Sequence, residues 1–169
     1  MPTLNKTLKE NFMRASTIAV ATAAFLSLAA AGPAMAGKGH ITDPSGELPD
    51  ILRLDYNNAK SKITMKMKVA SAQNQSFYML GGKKSYQVFY SPSRSSKPEL
   101  RYQSKNAATK QVTCTSLKLT ELPTQRSTQV VIPRTCIAKA PDQLQFQGIA
   151  TSGLSLFDET KLSPKVKRG

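Results

Sequence analysis

Lys62-Ile63-Thr64-Met65-Lys66-Met67-Lys68-Val69-Ala70 is the stretch that decides the fold. Ile63, Met65, Met67 and Val69 alternate with Lys62, Thr64, Lys66 and Lys68, a period of two that a helix would scatter around its circumference. It predicts a strand with one side in a core and the other in water. Just upstream, Leu52, Leu54 and Tyr56 share one face of residues 51–56, and Asn57-Asn58 supplies turn chemistry. The two stretches predict an antiparallel hairpin.

Working outward, further strands are predicted over residues 76–80, 85–91, 100–103, 111–119, 128–132 and 143–150. They are separated by Gly81-Gly82, by the Pro92–Pro98 segment, by Lys105-Asn106 and by the stretch around Pro123. Pro133 suits the first position of a helix, so one short helical turn is expected between it and Pro141. No long amphipathic pattern follows residue 37. The expected architecture is all-β, an antiparallel sandwich of jelly-roll-like form.

The first 36 residues read as a cleavable signal peptide. Lys6, Lys9 and Arg14 precede an uncharged run from Thr17 to Ala31, and Ala34-Met35-Ala36 has the small-x-small form of a cleavage site. The run is too short for the roughly 20 residues that span a bilayer. The organisation expected is thus a signal peptide over 1–36, a secreted domain over 37–160, and a basic irregular tail over 161–169. In an oxidising compartment Cys114 and Cys136 are expected to form one disulfide, removing on the order of 3 kcal/mol of unfolded-state entropy.

Two stretches carry a resemblance. Asp43-Pro44-Ser45-Gly46-Glu47 followed by Pro49-Asp50-Ile51 is similar to the opening of secreted actinobacterial domains of uncharacterised role. Val130 to Ile137, with Pro141 beyond, resembles the Ile-Pro-x-x-x-Leu-Gly…Pro segment of family nine carbohydrate-binding modules, with Ile137-Ala138 where those have Leu-Gly. The resemblance implies a jelly-roll-like sandwich and carries no function across, because those modules grip sugars between tryptophans and this chain has none.

Composition narrows the function classes. The formal net charge of +14 favours polyanions as partners through fields that salt screens. The candidate ligand-binding residues are Lys62, Lys66, Lys68, Lys83 and Lys84, with Tyr86 and Tyr90 as neighbouring aromatics. The competing reading of those lysines is a solvated strand face that also discourages aggregation. Asp43, Glu47 and Asp50, gathered around Gly46, are candidate calcium ligands, the only cofactor the sequence suggests. His40 is the only histidine and no Gly-x-Ser-x-Gly elbow occurs, so an enzyme is not expected. The expectation is an exported, non-enzymatic binding domain acting at the cell envelope on an anionic polymer or polysaccharide, not on nucleic acid. The alternative is a structural module that pairs with another exported protein.

Overall fold

In the computed structural model, which describes residues 35–43, 46, 48–71, 74–105, 107–152 and 156–169, period-two alternation becomes two packed sheets. The strands are β1 (Met35–Ala36), β2 (Lys38–Thr42), β3 (Ile51–Asn58), β4 (Lys62–Val69), β5 (Asn74–Gly81), β6 (Lys84–Ser91) and β7 (Ser95–Ser104). They continue as β8 (Lys110–Val112), β9 (Lys118–Leu122), β10 (Ser127–Pro133), β11 (Gln143–Ser152), β12 (Leu156–Glu159) and β13 (Val166–Lys167). One sheet has the order β2-β3-β4-β10-β9. The other runs β1-β13-β11-β5-β6-β7-β8, with β12 also on β11. Neighbours are antiparallel except β1 and β13. The chain is an all-β sandwich.

The predicted hairpin is β3–β4, registered as Leu54 opposite Met67 and Tyr56 opposite Met65, but its turn falls at residues 59–61, with Asn57 and Asn58 paired inside β3 rather than forming the turn. Ile63, Met65 and Met67 are fully buried on its inner side. Facing them from β11 are Leu144, Phe146, Gly148 and Ala150, again alternate residues. The Tyr56 and Phe146 rings stack across the two sheets at 4.9 Å. Gly148 lets the sheets close at this point, since a Cβ there would stand 2.7 Å from the Met67 sulfur. Each large apolar side chain buried this way contributes about 1.5–3 kcal/mol.

Two connections pass from the five-stranded sheet to the other, β4 to β5 and β10 to β11. Because β4 pairs with β10 and β5 with β11, the two crossings interlock. The expected helical turn is a 3-10 turn, Arg134–Ile137, with Pro133 at its N-cap; a second, Pro123–Gln125, precedes β10.

Two expectations are corrected. Residues 111–119 are not one strand. β8 ends at Val112 in the larger sheet and β9 begins at Lys118 in the smaller, because the chain turns between them, with Leu117 N–H donating to the Cys114 carbonyl. Nor is the tail after residue 160 frayed. Ser163 and Val166 are buried, Ser163 exchanges hydrogen bonds with Phe146 N–H and C=O, and β13 pairs with β11. The tail thereby covers an edge that would otherwise offer unpaired backbone groups.

Cys114 and Cys136 form the expected disulfide, tying the β8–β9 connection to the 3-10 turn. That turn is also anchored by Arg134, which is buried, donates from Nη2 to Asn58 Oδ1 and from Nε to the Ala59 carbonyl. Asn58, itself fully buried, donates to the carbonyls of Asp142 and Val166 at 3.2 and 2.8 Å. Burial first, and then the nearby Arg168, pulls the Arg134 guanidinium below its ordinary value. Residues 1–34 of the expected signal peptide lie outside the described residues, and cleavage after Ala36 would fall between β1 and β2. Among the described residues no helix is long and apolar enough to cross a membrane.

Candidate functional site

The outward positions of the five-stranded sheet form cross-strand rows fixed by register. One row is Lys38, Asn57, Thr64, Val131 and Lys118; the next is His40, Asp55, Lys66, Gln129 and Thr120. A third places Arg53 beside Lys68. Lys62 continues the series at the end of β4, opposite Pro133. Neighbouring rows lie about 6.8 Å apart along a strand, and neighbouring strands about 4.8 Å apart.

Asp55 is the only carboxylate in these rows, and it is paired with Arg53 at 2.7 Å. Both side chains are nearly half exposed, so this pair contributes at most about 1 kcal/mol. Lys66 reaches Gln125 of the 3-10 turn rather than an acid. A shallow depression of about 580 Å³ opens on this face, bordered by Lys38, His40, Arg53, Asp55 and Lys66. The arrangement can do one thing well. It presents several cations on a rigid, regularly spaced support.

Of the residues singled out in the sequence, Lys62, Lys66 and Lys68 share this face. Lys83 and Lys84 do not. They sit at the β5–β6 turn of the other sheet, beside a separate hollow of about 420 Å³ that includes Lys105 and Gln145. Tyr86 and Tyr90 are no aromatic platform for the lysines, because they point inward with Val88 and keep about 4% of their surface exposed. The Tyr90 hydroxyl donates to Glu121 at 2.7 Å, linking β6 to β9. Burial, reinforced by that acid, pushes the tyrosine up to about 12. The candidate lysines are therefore divided between two sheets.

Of the candidate calcium ligands, Glu47 lies outside the described residues. Asp50 is buried and accepts from Gly46 N–H at 3.3 Å. Asp43 is raised above the usual carboxylate range by burial first, and then by Asp158 and Asp50. Asp158 accepts from Ile51 N–H at 2.7 Å, joining β12 to β3. Among the described residues no group of three such side chains is arranged to hold a metal ion.

Sequence reasoning missed Lys38, His40, Arg53 and Lys118 as members of the basic face. Arg53 sits just past a register shift between Ile51 and Arg53, and Lys38 and His40 belong to a glycine-containing strand with weak alternation. No protein-family model matches the chain, and comparison with curated proteins finds no relative.

Proposed function

We propose that the chain is an exported, non-enzymatic binding domain that holds an anionic polymer of the cell envelope against the open face of its five-stranded sheet. The observation that carries this reading is the row lattice of Lys38, Arg53, Lys62, Lys66, Lys68 and Lys118, interrupted by a single carboxylate. A flat cationic sheet face suits a repeating polyanion better than a small ligand, because affinity is shared over many weak contacts. The disulfide and the leader-like start of the sequence are the support for export.

The test is retention of the purified protein on isolated cell wall across a salt series. Retention at low ionic strength that is lost steeply as salt rises is the expected result. Salt-independent retention, or none at low salt, sinks the proposal.

A second reading is supported by β12. Leu156 and Phe157 stand 53% and 68% exposed there, on a strand paired on one side to β11. Apolar side chains on a strand whose other side has no strand partner among the described residues suit the addition of a partner strand from another exported protein. Salt-insensitive capture of one protein, lost in Phe157→Asp, would favour that reading over the first.

A further inference from the structure

The inner face of the larger sheet runs, in register, from Met79 on β5 to Tyr86 on β6, Tyr102 on β7 and Lys110 on β8. Along this row burial falls from complete at Met79, through 4% exposure at Tyr86 and partial burial at Tyr102, to exposure at Lys110. The larger sheet thus extends beyond what covers it, and its inner side emerges as the floor of a cleft. The opposite wall is the 3-10 turn, held by the Cys114–Cys136 bond and by Arg134. The cleft has a volume of about 490 Å³, within the roughly 300–1,000 Å³ of small-molecule sites.

Its lining is chemically one-sided. Tyr86 and Tyr102 lie 5.1 Å apart with their rings tilted, next to Val112 and Ile137. Lys110 and Lys139 stand at the border, and among the described residues no carboxylate lines the space. A third lysine, Lys84, donates to the Lys139 carbonyl at 3.0 Å and adds its charge nearby. An aromatic floor with a cationic border is complementary to a planar ring that carries a negative group. The ring gains contact with the part-buried Tyr102, which the buried Tyr86 backs, and the anion gains the ammonium groups.

We propose that this cleft is a small-molecule site for an aromatic anion, a ring bearing a sulfonate or carboxylate. It is independent of the polymer-binding face, which lies on the other sheet. A small site whose walls are held by a disulfide and a buried arginine is organised before binding, so little ordering remains to offset the contacts made.

The probe is 1-anilinonaphthalene-8-sulfonate, titrated into the purified full chain in its folded state, in buffer from which denaturant is absent. Probe emission and quenching of tyrosine emission are read together, with no tryptophan to obscure the latter. The expected result is saturation at one equivalent. Tyr102→Ala, and separately the pair Lys110→Glu and Lys139→Glu, should each weaken binding by about tenfold, while Lys66→Glu with Lys68→Glu changes it less than about twofold. Anilinonaphthalene without the sulfonate should bind at least about tenfold more weakly. Failure to saturate, saturation at several equivalents, equal loss in the Lys66/Lys68 variant, or equal affinity for the uncharged probe would each overturn the site. Should Tyr102→Ala fail to fold, the lysine pair and the uncharged probe decide the question.

Discussion

The two open faces of the sandwich obey the same folding rule and carry opposite chemistry. On β4 the outward positions are Lys62, Thr64, Lys66 and Lys68; on β11 they are Gln143, Gln145, Gln147 and Ile149. The glutamine face continues across β5 and β6 as Tyr78 and Gln87, where Gln87 donates to Tyr78 and to Ser76. Its one outward arginine in that row, Arg101, is engaged by Glu99 at 2.6 Å and lies over the Phe89 ring at 4.8 Å. Either chemistry satisfies the need for a wetted side. A charge excess placed on one face and withheld from the other is therefore not required by the fold, which is why the lysine face is the functional candidate.

Neither open face should matter to stability as much as the interior does. Arg134→Met removes the donor to Asn58 and to the Ala59 carbonyl, leaving two polar groups short of partners in a buried setting. The expected cost is about 2–4 kcal/mol, read as a lower chemical-denaturation midpoint. Paired substitutions on either open face should stay within about 0.5 kcal/mol of wild type. If the face variants destabilise as much as Arg134→Met, the faces are structural, and the functional contrast disappears.

Lys66→Glu with Lys68→Glu reverses two neighbouring charges on β4 and should reduce affinity for a wall polyanion by about 100-fold at low salt. Gln103→Glu with Gln111→Glu changes the same number of exposed positions on the other face and should reduce it by less than about fivefold, through net charge alone. Equal losses would mean that the protein binds through its overall charge with no preferred surface. A third variant runs the comparison in reverse. Gln103→Lys with Gln111→Lys in the Lys66→Glu, Lys68→Glu background should recover affinity by about tenfold if a cationic sheet face suffices. No recovery would mean that the five-stranded face offers more than charge.

Much of the sandwich was legible because alternation is local. The β3–β4 hairpin, the strands β5, β6, β10 and β11, the turn after Pro133 and the disulfide all follow from neighbouring residues or from an even cysteine pair. What alternation cannot reveal is which sheet a strand joins. Lys68 and Lys83 are close in sequence, yet the crossing from β4 to β5 places them on different sheets. The same limit hid the division of residues 111–119, whose two parts enter different sheets. Tyr86 and Tyr90 share parity with Val88, so their burial was readable from spacing. The attraction of aromatics near lysines obscured it. The short strands β2, β12 and β13 gave too few residues for a period, and they are held by edges of strands distant in sequence.

The smallest expected effect tests whether the one acid on the lysine face limits binding. Asp55 stands in register between His40 and Lys66 and accepts from Arg53 Nε at 2.7 Å. Asp55→Asn keeps the side-chain shape and leaves an oxygen that Arg53 can still reach, but it removes the negative charge. A surface ion pair of this exposure contributes little to folding, so the unfolding midpoint should move by less than about 1 kcal/mol equivalent. Freed of its counter-charge, Arg53 joins Lys66 and Lys68 in facing the polymer, and affinity should rise by about threefold to fivefold at low salt, with the gain shrinking as salt increases. A matching Glu99→Gln beside Arg101 on the other face should leave affinity within about twofold. If the two acids prove interchangeable in this assay, register on the five-stranded sheet is not what the polymer reads.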